Sequence, residues 1–454
     1  MAAAFGMILF RLLLSGIWEI RLFFAYVVWL VLTRILNGDY HLQNEFLTVM
    51  DICISFFMFA CGTQLKDSQQ DKFLCALVIV YSGFFVVVCL IGLFISVTNT
   101  SLCVNPDYDI WINVIYSAGT NSLVLFSENR LICASWVYIA WALLIYSFFK
   151  TKKVALRILI LLSTLVVYIT IPLFHSRTIQ IVMAISCGML VLLLLLRTTK
   201  RLSLSVRIPI LTAITVSAIF LGFFSYNWSN SLVSVLRSNY APRFEYFYTH
   251  SEQQADPRVF GIDNSKEIAN NMEEQRIIST NSTLTGRTEI WKSGLIAIER
   301  DPKILAYGSL SSDLMKPVNK VLREEINPAV KKDKPHMHNM FFQILMLTGL
   351  PGLLLIVVWT AILFKKTVQY YFSEHVSILL SSKLLIIPIT GVLVWHLVEA
   401  GLFTKTDIYG KVFFLLCGVF VSYYNDYFIR QNKYSLEKLL WPTSTKTDLT
   451  ALSL

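Results

Sequence analysis

The sequence predicts an all-α, polytopic membrane helical bundle of ten to twelve spans carrying one large, mainly helical external loop. Three observations predict it. Hydrophobic residues fill 55% of the 454 positions and charged residues only 15%, whereas soluble domains carry about 25% charge, so an ordinary soluble enzyme is excluded. Apolar residues form continuous tracts of the roughly 20 residues that a helix needs to cross a bilayer, unlike the roughly ten-residue alternating strands of a membrane barrel. Glycine and proline together number only 31, which removes collagen-like and low-complexity readings.

In chain order, the start, residues 1–14, is apolar around Arg11 and lacks a small-residue cleavage site, so it reads as an uncleaved anchor. The spans expected next are 17–36, 46–65, 73–97, 133–149, 155–174, 178–196, 208–225, 341–364, 377–400 and 411–428. Residues 5–16 and the semi-polar stretch 109–126 are candidates for two further short or re-entrant helices. Seven of the eight cysteines lie in or beside apolar tracts and only Cys103 sits in a polar connector, with no disulfide or zinc spacing. Four regions follow: an N-terminal transmembrane bundle (1–225), an external loop domain (226–340), C-terminal transmembrane helices (341–428) and a cytoplasmic tail (429–454).

Net charge is +10, which in a membrane chain bears on orientation. Lys150, Lys152, Lys153 and Arg157 crowd one connector, Arg197, Lys200, Arg201 and Arg207 another, and Lys365 with Lys366 a third, none with an acid. The positive-inside rule makes these cytoplasmic. Strict alternation then places the turn 175–177, the segment 226–340 and the connector 401–410 outside, with both termini cytoplasmic. That external segment is 115 residues long with 15 Lys and Arg against 14 Asp and Glu, so nothing supports nucleic-acid binding. Its length marks it as the first place to look for chemistry.

Within it, Gly286-Arg287-Thr288-Glu289-Ile290-Trp291 opens a helical pattern in which Ile290, Trp291, Leu295 and Ile298 share a face, stopped by Asp301-Pro302. Arg287 falls in the first turn, where a cation opposes the helix dipole unless an anion binds nearby. A solvated surface arginine is the other reading. The segment ends in Pro335-His336-Met337-His338-Asn339, then Gly349-Leu350-Pro351-Gly352. Asn339 reads as a helix cap, which sets His338 at the water–membrane boundary before a helix interrupted by the glycine–proline run. A histidine there is either a proton acceptor or an interface marker. His336 and His338 alone do not make a metal site, because no third ligand follows at convincing spacing.

Arg177, in His175-Ser176-Arg177-Thr178, lies in an external turn too short to need charge for solubility. It either snorkels or meets an anion. His396 and Glu399, three residues apart near the outer end of a later span, share a helix face and form a supporting ionisable pair. Arg177, Arg287 and His338 converge on one membrane face by a topology argument made from other residues.

With those sites, the sequence resembles the O-antigen ligase and O-antigen polymerase superfamily of bacterial integral-membrane glycosyltransferases. His336-Met337-His338-Asn339 followed by Gln343 and Gly349-Leu350-Pro351-Gly352 looks like its histidine-asparagine to Gly-x-x-Gly signature. Arg287 with Trp291 looks like its external-loop arginine, and Ser176-Arg177-Thr178 like its arginine between two spans. The resemblance covers residues 176–352. It implies a GT-C-like fold and inverting, metal-independent transfer of a glycan from undecaprenyl pyrophosphate, without a cofactor. The acceptor is a hydroxyl on lipid A-core (ligase) or on a second lipid-linked glycan (polymerase), at the periplasmic face of the inner membrane. A flippase of lipid-linked sugar is the reading from another class, and it would use intramembrane acids; Asp51 is the main one and looks isolated. In the ligase reading His338 is the base, Arg177 and Arg287 hold the pyrophosphate, and His336, Asn339, His396 and Glu399 support them. A basic rim of Lys316, Lys320, Arg323, Lys331, Lys332 and Lys334, offset by Glu324, Glu325 and Asp333, leans toward a phosphorylated lipid A-core acceptor.

Overall fold

The computed structural model describes residues 13, 16–36, 42–66, 68–98, 101–103, 113–117, 122–125, 130–199, 203–250, 285–309, 315–328, 330, 333–334, 336–372, 380–397, 402–403 and 408–440. Most of the proposed anchor at 1–14 and the tail from 441 lie outside the described residues.

The described chain is mainly helical, and its helices follow the ten expected tracts. Eight are long and apolar enough to cross a membrane. The other two are α1 (Trp18–Leu36), which carries Glu19, Arg21 and Arg34, and a short helix within Ser382–His396. Next come α2 (Leu42–Gln64), then α3 (Ser68–Leu77) and α4 (Gly83–Thr98), continuous through a π-helical turn at Val78–Ser82. Helix α5 (Arg130–Lys150) is the centre of the bundle: 78% of its apolar window is buried inside the protein, against 22% for the span Val154–Phe174 and 11% for Ile208–Ala241. That is why α5 is apolar on every side. Phe84, Val87, Leu90 and Phe94 of α4 instead stay exposed, as a lipid-facing stripe requires.

Between α4 and α5 the expectation of a short helix fails. Ser101–Cys103, Asn113–Ser117 and Ser122–Leu125 form a three-stranded antiparallel sheet, pairing Ser101 with Ile115 and Val114 with Leu125. Asn-Val-Ile-Tyr-Ser and Ser-Leu-Val-Leu are short β-branched and aromatic runs separated by Ala-Gly-Thr-Asn, which is the chemistry of a hairpin. Asp51 is also not isolated, because Lys411 Nζ lies 2.7 Å from its carboxylate.

Helices α6 (Val154–Thr170) and α7 (Arg177–Thr198) are joined by a 3₁₀ turn at Ile171–Phe174. The expected boundary at 225 falls inside α8 (Leu204–His250), a single helix of 47 residues. At 1.5 Å per residue it is about 70 Å long, more than twice the hydrocarbon core. Residues 226–340 supply α9 (Thr285–Arg300), α10 (Lys303–Tyr307) and α11 (Lys316–Val321), and the chain continues through α12 (Met340–Phe372), α13 (Leu380–Leu384), α14 (Ile386–His396) and α15 (Ile408–Leu440).

Helix α12 is broken where the glycine–proline run predicts. Gly349 has φ 69° and ψ −170°, so residues 340–348 form a short half-helix set off from the rest of α12. The break frees carbonyls, which in an apolar environment need partners. Ser309 N–H donates to Met346 O at 2.6 Å, an Arg34 Nη2 donates to Leu347 O, and Trp29 Nε1 donates to Thr348 O at 2.7 Å. A Cβ on Gly349 would stand 2.7 Å from the Ala306 carbonyl carbon and 2.8 Å from Leu305 O. Gly349→Ala is therefore expected to destabilise the protein by more than about 2 kcal/mol, read as a lowered melting temperature and reduced monodisperse yield after purification.

Candidate functional site

Each of the three principal residues stands at the start of a helix. Arg177 is the first residue of α7, exposed, behind the cap Ser176, whose Oγ accepts a hydrogen bond from Ile179 N–H at 3.3 Å. Arg287 lies in the first turn of α9 and is half-buried. His338 precedes the cap of α12: Asn339 Oδ1 accepts from Phe342 N–H at 3.0 Å, as the sequence predicts. Helix starts carry free N–H groups and the positive end of the macrodipole, so all three positions favour an anion.

These helix starts share one end of the bundle. Lys150 at the end of α5 and Tyr423 midway along α15 both bond Asp71, while Tyr409 at the start of α15 meets His396 at the end of α14, so the starts of α5 and α15 and the end of α14 lie together. The strand Ser122–Leu125, whose Leu125 O accepts from Cys133 Sγ at the start of α5, packs on the 171–174 turn that leads into Arg177, which brings the start of α7 to the same end. The outer end of α14 then meets the start of α12, where Asn339 Nδ2 donates to Leu397 O at 2.8 Å.

Helix α9 is clamped to the histidine segment. Trp291 Nε1 donates to Met337 O at 2.7 Å, and its ring stacks on Phe342 at 6.0 Å and 9°. Met337 is fully buried among Ile290, Ile298, Ile304 and Met346, and its Cε fits so closely over Gly294 that a Cβ there would stand at 2.6 Å. The buried face of α9 is Ile290, Ser293, Gly294, Ala297 and Ile298, with Trp291 half-buried beside it; it keeps Ile290, Trp291 and Ile298 of the expected face, and Leu295 departs from it at 55% exposed. Small residues pack here because the 336–338 backbone comes close, and a search for large apolar residues passes over them. Arg287 thus lies one turn before the residue that grips the carbonyl preceding His338.

His338 itself is held in the left-handed region, φ 50°. Met337 N–H donates to Gln343 Oε1 at 2.8 Å, His338 N–H donates to His336 Nδ1 at 3.3 Å, and the two imidazoles lie edge to face with centroids 4.0 Å apart. An uncommon backbone conformation costs about 1–3 kcal/mol and persists where its surroundings enforce it. Among the described residues, no group of three His, Cys, Asp or Glu side chains is arranged to hold a metal. Trp291→Phe keeps the ring stack but removes one hydrogen bond, and is expected to lower turnover about fivefold, the equivalent of about 1 kcal/mol; steady-state transfer and a melting curve check it.

His396, the last residue of α14, is fully buried, with Nε2 3.3 Å from Tyr409 Oη and the rings parallel at 5.8 Å. It ties α14 to α15 beside the Asn339 anchor, while its expected partner Glu399 lies outside the described residues. In the basic rim, Arg323 is engaged by Asp333 and Lys331 and Lys332 lie outside the described residues, leaving Lys316 and Lys320 exposed and Lys334 half-buried. Sequence reasoning missed Trp29 and Arg34, which support the half-helix from 319 and 313 residues away; a buried arginine in a first span was the available signal.

No curated protein and no solved structure matches the chain. A family model described as O-Antigen ligase matches residues 161–357, a stretch that contains Arg177, Arg287, His338 and the Gly349 break. Over those residues, and in its polytopic helical fold, the chain is similar to the O-antigen ligase family.

Proposed function

We propose that the chain transfers a glycan from undecaprenyl pyrophosphate to an acceptor sugar hydroxyl at the periplasmic face of the bacterial inner membrane, as an O-antigen ligase acting on lipid A-core. The observation that carries this reading is the gathering of Arg177, Arg287 and His338 at three helix starts on one end of the bundle. The acceptor oxygen attacks the anomeric carbon as its proton passes to a His338 imidazole nitrogen. The bond from that carbon to the diphosphate oxygen breaks, and the pair leaves with undecaprenyl pyrophosphate. A single displacement inverts the anomeric centre. A diphosphate leaving group needs charge stabilisation more than protonation, and two guanidiniums offer it in bidentate form.

Purified protein given a lipid-linked donor should elongate lipid A-core acceptor. Elongation of a second lipid-linked glycan alone would instead establish the polymerase, a reading favoured by the engagement of Arg323 with Asp333, which weakens the basic rim. Turnover should be unchanged in EDTA. Chelator-sensitive turnover restored by a divalent ion would contradict the metal-free step.

A further inference from the structure

At the end of the bundle opposite His338, a cavity of about 750 Å³ opens between α1, α2, α12 and α15. Its charged lining is Glu19, Lys66, Lys365, Lys366 and Asp426. Glu19 is fully buried. Lys366 Nζ pairs with its Oε1 at 2.6 Å, whereas among the described residues its Oε2 has no hydrogen-bond partner. A buried carboxylate oxygen without a donor costs free energy, so the floor of this cavity has room for one more donating group beside Lys366. Asp426 takes the Gln70 amide at 2.9 Å, and Lys366 also lies 5.0 Å over the Tyr424 ring. Lys66 and Lys365 are exposed at the rim.

Three lysines against two carboxylates leave the cavity one positive charge. Trp18, 63% exposed, and Phe428 flank it, in the manner of side chains at a headgroup boundary. The positive-inside bias accounts for the lysines but not for an acid buried beneath them. We propose that this cavity binds the headgroup of a monoanionic, hydroxyl-bearing phospholipid, a phosphatidylglycerol, with the phosphate on Lys66 and Lys365 and a glycerol hydroxyl donating to Glu19 Oε2, the oxygen that Lys366 leaves unpartnered. The single negative charge matches the single positive excess, and the site is independent of the proposed transfer chemistry.

Native mass spectrometry of the purified full chain tests this with phosphatidylglycerol, phosphatidylethanolamine, phosphatidylcholine and soluble glycerol phosphate as probes. The expected result is retention of phosphatidylglycerol at least about tenfold above the two zwitterionic lipids, lost in the Lys66→Ala/Lys365→Ala variant. Both lysines are exposed, so that variant should keep its melting temperature in detergent and its transfer activity. Equal retention of the three lipids, or a preference that survives the double substitution, would overturn the site. Binding of soluble glycerol phosphate as tightly as the lipid would overturn the lipid as its occupant.

Discussion

His338→Ala lowers glycan transfer by about 10²- to 10⁴-fold, the range a positioned general base contributes, while the protein stays folded in the membrane. Two causes of loss need separating. The position has φ 50°, where alanine is strained and asparagine is tolerated. His338→Asn keeps the backbone and removes the base, so it should be as inactive as the alanine variant. His336→Ala removes one ring contact and the acceptor for His338 N–H; its loss should stay within about tenfold, as for a single hydrogen bond. Transfer assayed with purified lipid-linked donor decides between them. Near-wild-type turnover in His338→Asn would remove the base assignment.

Arg177→Lys and Arg287→Lys should each cost about 10- to 100-fold although the charge is kept, because an ammonium cannot present the planar fork that grips two phosphate oxygens. Hydrogen bonds to charged groups are worth about 1.5–3 kcal/mol, and the replacement forfeits one of two. Neither residue is buried in the described structure, and each opposes the dipole of its own helix by only tenths of a kcal/mol. Folding should therefore survive, and melting temperature is the control. Full activity in either lysine variant would mean that its arginine is a solvated or snorkelling group.

The spans, the Asn339 cap, the helix beginning near Arg287 and the break at Gly349 were legible in the sequence because each is a local signal: a hydrophobic run, a capping residue, a glycine beside a proline. The sheet between α4 and α5 also rests on local signals, β-branched and aromatic runs around a turn, which semi-polar composition taken alone hides. The buried face of α9 was legible at Ile290, Trp291 and Ile298 but not at Ser293, Gly294 and Ala297, which face inward for closeness rather than hydrophobicity. Nor were the ties of Trp29 and Arg34 to the half-helix or of Lys411 to Asp51. These pair residues hundreds of positions apart, and no periodicity records them.

The most direct measurement is an experimental structure of the protein with an isoprenyl pyrophosphate bound. The account predicts diphosphate oxygens within hydrogen-bonding reach of both Arg177 and Arg287, with an imidazole nitrogen of His338 facing the space left for an acceptor hydroxyl. A diphosphate bound away from both arginines, or His338 turned from the sugar-bearing side, would contradict it.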